Sequence, residues 1–275
     1  MKNTLYQRMR RFRHRINISS RYHISRHRTE QQVVILAEAR TGSTLLGDYL
    51  NCDPSVTISG EVLNPFSTVG IAQKAISKSA ALRHIRYSLH SPRTRVGGVK
   101  LHLSHMAAHG ISGTDLVRDF PEAYFIVLYR SSFAEQFVSH KIARQTEVWE
   151  DRTGKRAFSG KIHVDSEEFT NYCDGAVRAY EALLKDLHLA AHSIVISYEE
   201  MATDAQSLFR EKVFPFLHIP MRTITTGLKK QNKRSLSAVV ENYDDVCPLL
   251  EKYSSVQLTK PVENTFSAES IFKFA

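Results

Sequence analysis

Apolar residues fall along this chain in two alternating rhythms. Short runs rich in β-branched and aromatic residues, at Val33–Ala37, Val56–Ser59, Gly97–Leu101, Tyr124–Tyr129 and Ser193–Ser197, have the length and composition of strands. Longer stretches between them carry helical spacing and predict helices over Ser43–Asn51, Gly70–Tyr87, Ser132–Trp149, Ser166–Ala190 and Ala205–Leu217. The fourth of these takes Ser166 as its N-cap, with Glu167 and Glu168 in the first turn, where acids favour the helix dipole. Such alternation predicts an α/β fold, a parallel β-sheet flanked by helices. No internal repeat and no low-complexity linker follows residue 30, so residues 31–275 read as a single domain. Ligands of parallel sheets gather at the carboxyl ends of the strands. Arg40, Glu61, Lys100 and Arg130 each stand at, or just after, the end of a predicted strand.

Composition alters this picture mainly at the N-terminus. A chain of 275 residues, 42% of them hydrophobic, can bury a substantial core. No run approaches the ~18–20 apolar residues that span a bilayer, and the first residues lack the apolar middle of a secretory signal. Cys52, Cys173 and Cys247 are odd in number and widely spaced, with no C-x-x-C, which predicts a reducing, cytoplasmic setting without a disulfide framework. The net charge of +9 is concentrated: residues 1–28 hold nine Lys or Arg and no acid, so the remainder is formally neutral. Residues 1–30 therefore read as a basic, flexible leader. Two sharper readings stand beside that one. The leader could dock on anionic lipid, placing the protein at the inner face of a membrane, or on nucleic acid, although no specific nucleic-acid partner is expected. Leu5, Tyr6, Met9, Phe12 and Ile16 would give it a weakly amphipathic face.

The candidate chemistry begins after the first strand, in Ala39-Arg40-Thr41-Gly42-Ser43-Thr44. A strand, a tight glycine turn and a helix start form an anion cradle, because the first amides of a helix lack internal partners. Arg40 adds a permanent charge; Thr41, Ser43 and Thr44 add hydroxyls. Aligned with a nucleotide-binding P-loop on Gly42, the chain has Ala37 at the first glycine and Ser43 at the lysine, so only Gly42 and Thr44 survive. A second strand delivers Arg130, followed by a helix carrying Ser132 and Ser139 on one side, a pairing suited to a second phosphate. Alone, Ser132 could be a helix cap and Arg130 a surface charge. Farther on, Lys229, Lys230, Lys233 and Arg234 crowd a polar loop before a short helix, where the bland alternative is solvated surface. Glu61, beside Gly60, can reach a ligand mouth and accept a proton, or simply sit solvated on a turn. Lys100 could touch a reacting group or form a structural ion pair. His102 and His105 are three apart with no nearby carboxylate or cysteine, too little for a metal site. Trp149 could stack on a sugar ring or belong to the core.

These elements in this order resemble the sulfotransferases that use 3′-phosphoadenosine 5′-phosphosulfate (PAPS). RTGSTLL after an apolar strand is similar to their 5′-phosphosulfate loop, and arginine at position 40 is typical of the carbohydrate branch, which includes the bacterial nodulation-factor and trehalose sulfotransferases. The resemblance implies a P-loop-like sulfotransferase fold and transfer of a sulfuryl group to a hydroxyl of a carbohydrate or glycolipid. It places Arg40, Thr41, Gly42, Ser43 and Thr44 on the 5′-phosphosulfate, Arg130 and Ser139 on the 3′-phosphate, and Lys230, Lys233 and Arg234 among the late phosphate contacts. Leu236, Asn242 and Tyr243 match the element that follows this basic loop, and Thr146 and Trp149 match a Q-T-x-x-W tendency. Glu61 falls at the position of the general base, with Arg40 and Lys100 completing the catalytic set. The product is 3′-phosphoadenosine 5′-phosphate, no metal is required, and a homodimer is compatible. Ser132 departs from the branch, which often has an acid there. The rival readings are an ATP-dependent P-loop kinase, for which the lysine is missing, and a non-enzymatic module that binds anionic surfaces through its leader.

Overall fold

The structure, a computed structural model, describes residues 29–71, 76–91, 94–154 and 157–258. Residues 1–28, and with them the expected membrane contact of the leader, lie outside the described residues. Five strands, β1 (Gln31–Ala37), β2 (Val56–Glu61), β3 (Val96–His102), β4 (Tyr124–Tyr129) and β5 (His192–Ser197), form one sheet in the order β2-β3-β1-β4-β5. Every pairing is parallel. All five strands were legible in the apolar runs, each to within about two residues.

Alternation along β1 divides the interior between two faces. Val33, Ile35 and Ala37 pack with Leu46, Leu50, Ile126, Leu128, Phe209 and Phe214 on one side. Val34 and Leu36 pack with Val99, Leu101, Phe125, Phe133, Phe137 and Tyr180 on the other. Both faces of β1 are thus sealed, which explains its near-continuous apolar run.

The helices are α1 (Ser43–Leu50), α2 (Lys78–Leu89), α3 (Leu103–Ala108), α4 (Gly113–Asp119), α5 (Phe133–Thr146), α6 (Ser166–Asp186), α7 (Tyr198–Leu208), α8 (Leu236–Val239) and α9 (Tyr243–Lys252). Several differ from the sequence expectation. The helix expected from Gly70 starts at Lys78, where Ser77 accepts a hydrogen bond from the amide of Ala80; residues 72–75 are not described. The cap of α6 is Asp165 rather than Ser166, its carboxylate accepting the Glu168 amide at 2.8 Å. The helix expected from Ala205 begins seven residues earlier, at Tyr198, because Ser197 and Glu200 close a capping box directly on the end of β5. It breaks at Asp204 and continues through the π-helical turn Phe209–Val213 to Phe216. Helix α5 stops at Thr146, short of Trp149, where Glu147 turns left-handed at φ 56°. None of α3, α4 or α9 was expected.

Strand β1 is flanked by β3 on one side and β4 on the other: the chain goes from β1 to β2 and β3 on one side, then crosses past β1 to β4 and β5 on the other. That switch point opens a crevice at the carboxyl end of β1, where α/β sheets bind ligands. Among the described residues no helix is long and apolar enough to cross a membrane.

Candidate active site

The turn after β1 is held from several sides. The Glu38 amide donates to the Tyr180 hydroxyl, and that hydroxyl donates to the Leu128 carbonyl, both at 2.9 Å. The Gln136 amide nitrogen donates to the Ala39 carbonyl at 3.0 Å. Glu38 accepts from the Ser104 amide and hydroxyl, while its burial raises its pKa above the usual carboxylate range. Thr41 is fully buried and donates its hydroxyl to the Glu38 carbonyl at 2.8 Å, so it serves the turn's own shape. Arg40 and Gly42 are both left-handed, at φ 69° and 86°. At Gly42 a Cβ would lie 2.7 Å from Tyr198 Cδ2, so glycine answers both the backbone conformation and the close ring. Helix α1, which starts behind Gly42, has no side-chain cap and no acid in its first turn. Its N-terminal amides and the positive end of its dipole are therefore available to an anion.

Arg40 draws four segments together. Its Nε donates to Ser139 Oγ on α5 at 3.0 Å, one terminal nitrogen donates to Gln231 Oε1 at 2.9 Å, and the other donates to the Trp149 carbonyl. Burial lowers its pKa, and the neighbouring Arg130 adds to the effect. Arg130, directly after β4, is 5% exposed. It is paired with Glu135, lies 3.6 Å from Glu199 Oε1, and stacks its guanidinium 4.7 Å from the centre of the Tyr198 ring. Glu199 also accepts the amides of Ser131 and Ser132. Ser139 thus bonds to Arg40, while Arg130 is held by two carboxylates; both guanidines still border the same crevice. Ser132, where the resembling branch often has an acid, caps α5 by accepting the Glu135 amide at 3.2 Å.

A second line of polar groups runs from α1 to the other side of the sheet. Lys100, buried in β3, donates from Nζ to Thr44 Oγ1 at 2.9 Å and lies 3.8 Å from Glu61 Oε1. Thr44 in turn donates to Glu150 at 3.2 Å. Glu61 meets Lys100 because β2 carries a bulge: Ile58 pairs with Gly98 but Glu61 with Lys100, and Gly60 takes φ 96° between them. Asn64 Nδ2 donates to Glu61 Oε2 at 2.6 Å. Burial opposes ionisation of Glu61, but His102, Lys100 and the Asn64 hydrogen bond outweigh it and hold its pKa below the usual range. Burial lowers the Lys100 pKa, against the support of Glu61, Glu150 and Asp48. His102 Nε2 is 3.5 Å from Glu61 Oε1, and burial pushes the imidazole pKa down to about 4, so it is neutral at pH 7.

The loop expected to bring phosphate-binding cations behaves differently from its charge pattern. Lys230 and Lys233 are exposed. Arg234 donates to the carbonyls of Phe158 and Gly160 and stacks on the Phe158 ring. Gln231 is what faces the site, bonded to Arg40 and to the Val148 carbonyl. Two chain segments close over α1 here. Asp48 accepts both terminal nitrogens of Arg152, at 2.8 and 3.1 Å, and the Thr226 hydroxyl at 2.9 Å; the Lys229 amide donates to the Asp151 carbonyl. Trp149 is half exposed, with its ring edge against His140.

The structure thus gathers Arg40, Ser139, Thr44, Lys100, Glu61 and Arg130 around the switch point, and leaves Lys230 and Lys233 at the surface. Sequence reasoning missed Gln231, Tyr198 and the approach of His102 to Glu61. Gln231 was masked by the cations around it, and His102 meets its carboxylate only through strand pairing.

No protein-family model and no curated protein matches the sequence. Among solved structures, the fold is similar to that of a sulfotransferase from Alicyclobacillus acidocaldarius, with a TM-score of 0.50 and 13% sequence identity over 81% of this chain and 92% of that one. A sulfotransferase domain from the curacin biosynthetic pathway aligns over 86% of this chain and 95% of its own, with 14% identity and a TM-score of 0.41. At this identity the first likeness is one of fold: a parallel sheet flanked by helices.

Proposed function

We propose that the chain is a sulfotransferase that moves a sulfuryl group from PAPS to a hydroxyl of a carbohydrate or glycolipid. The observation that carries this reading is the polar line from the uncapped start of α1 through Thr44 and Lys100 to Glu61. It joins an anion cradle at one end to a proton acceptor at the other, with a buried ammonium between them.

The donor fits two features of the chain. The α1 amides behind Gly42 suit a 5′-phosphosulfate. Arg130, buried and with its Nε lacking a hydrogen-bond partner, suits a second phosphate, provided Glu135 and Glu199 yield their place on it. When bound, PAPS supplies a sulfuryl group on a phosphosulfate anhydride. The residues then divide the work. Buried Lys100 and the α1 amides oppose negative charge near Thr44. Glu61 accepts the proton of an acceptor hydroxyl, its carboxylate oriented by Asn64. Arg40 and Ser139 tie the nucleotide side of the crevice to α5 and the covering segments. Trp149, half exposed at the rim, offers a face for a sugar ring.

The test compares ligands by thermal shift. 3′-Phosphoadenosine 5′-phosphate should raise the melting temperature well beyond ATP with magnesium, since a second anion site separates the two. Equal shifts would sink the reading in favour of an ATP-dependent kinase. A labelled-donor screen against sugars and glycolipids then identifies the acceptor.

A further inference from the structure

Glu61, His102 and His105 form a cluster that the proposed chemistry uses only in part. One donor atom from each lies within 4.8 Å of the others. His102 ends β3 and His105 lies in the first turn of α3, so the imidazoles stack, 5.1 Å between centres and 24° from parallel. His102 is 7% exposed. Its Nε2 is buried without a hydrogen-bond partner, and so is Nδ1 of His105. Asn64 holds Oε2 of Glu61, which leaves Oε1 toward the histidines, an outer contact of the kind that orients metal ligands.

Two imidazoles and a carboxylate are a donor set for zinc-class divalent cations in sites that keep a coordination position open. Nitrogen and oxygen donors ~2.0–2.1 Å from a tetrahedral ion stand roughly 3.3–3.4 Å apart. The His102–Glu61 pair, at 3.5 Å, already has that spacing. The third donor lies within 4.8 Å of the others and so needs to approach by up to about 1.4 Å, a shift within reach of a partly exposed side chain at the start of a short helix.

We propose that Glu61, His102 and His105 bind one zinc-class divalent cation, and that this ion silences the enzyme by occupying Glu61 Oε1, the proton acceptor. The silencing rests on the function proposed above; the binding does not. Lys100 Nζ lies 3.8 Å from the same oxygen, so the ammonium and the ion compete for it.

The full chain, without an appended histidine tag, is titrated with Co²⁺ and followed by visible ligand-field absorption, with Zn²⁺ as competitor. The expected result is intense low-coordination bands at one Co²⁺ per chain, abolished by Zn²⁺. In His105→Gln the binding should weaken at least ~10-fold, the lower end of what losing even an outer partner costs a metal site. This variant should keep its circular dichroism and its sulfuryl transfer in chelator. The basic leader carries His14, His23 and His27, and the comparison with His105→Gln separates that background from the cluster. Lys100→Met should tighten Co²⁺ binding by removing the competing charge. Co²⁺ that keeps the spectrum of its hydrated ion, or binds His105→Gln as well as the unsubstituted chain, overturns the site. Transfer that persists with Zn²⁺ bound overturns the silencing. The spectrum needs no turnover, so the cation site is decided even where sulfuryl transfer is absent.

Discussion

Glu61 reaches its partners through a local irregularity of β2, and its consequences are testable one side chain at a time. Glu61→Gln keeps the size of the side chain and an oxygen for Asn64, but removes the base. Turnover should fall roughly 10²–10⁴-fold, the usual contribution of a positioned general base. Affinity for 3′-phosphoadenosine 5′-phosphate, measured by calorimetry, should stay unchanged, because Glu61 lies at the acceptor end of the polar line. Lost nucleotide affinity would instead make Glu61 a structural partner of Lys100. At this scale the sequence was legible where position follows the chain locally: Arg40 and Arg130 come just after strand ends, Thr44 opens the helix behind the first turn, and Lys100 lies two residues before the end of β3. It was not legible where a contact depends on register or on a distant loop. Nothing near Gln231 announces that its amide will meet Arg40, and His102 looks isolated until β2 and β3 are paired.

Helix α4 shows how an element with a weak apolar pattern is secured by its ends. Ser112 accepts the Asp115 amide, and Asp115 accepts the Ser112 amide and hydroxyl. The same carboxylate takes Lys78 from the start of α2 and Arg118 from its own helix, which bolts two elements together. Burial works against the charge of Asp115, but Lys78 and Ser112 outweigh it and hold its pKa well below the usual range. Its contribution to stability is therefore complete above the unfolded value of ~3.9 and lost as pH falls through the lower folded value. Ser112→Ala should lower stability by ~1 kcal/mol in urea unfolding at pH 7. Asp115→Asn should cost more than that at pH 7, since Lys78 and Arg118 lose their shared counter-charge. The difference between Asp115→Asn and the unsubstituted chain should shrink as pH drops below about 4; a constant difference would show that the carboxylate acts by packing alone. Short helices such as α3 and α4 escaped the sequence reading because six or seven residues give too few turns for a period to emerge. Long, strongly patterned α6 did not escape it, although its cap was misplaced by one residue and its end by four, the chain after Asp186 tightening into a 3-10 turn at Leu187–Leu189.

Across the whole molecule, the sheet order makes the crevice and two distant segments cover it. Residues 147–154 and 224–231 meet each other through Gln231 and Lys229, and meet α1 through Asp48. Asp48→Asn should loosen both at once. Hydrogen exchange should quicken in those two segments while the amides of β1 and β4 stay protected, and nucleotide affinity should drop several-fold. Unchanged exchange would mean that Arg40 alone holds the cover in place. The five strands and their parallel arrangement followed from the apolar runs because a doubly covered sheet demands them. The cover could not be read from the sequence, since it is polar, aperiodic and assembled from segments remote in the chain.

The Tyr198 ring has a bearing on which molecules the crevice can measure. It is the first residue after β5, pressed against Gly42 on one side and stacked beneath Arg130 on the other. One aromatic ring therefore stands between the turn at Gly42 and Arg130, the two places proposed for the donor's anionic ends, like the fixed bar of a caliper. A ligand with charge at one end only would engage a single jaw. On the proposed reading a donor nucleotide with two anionic ends would straddle this ring, so the spacing it must match depends on how one side chain sits against Gly42 and Arg130.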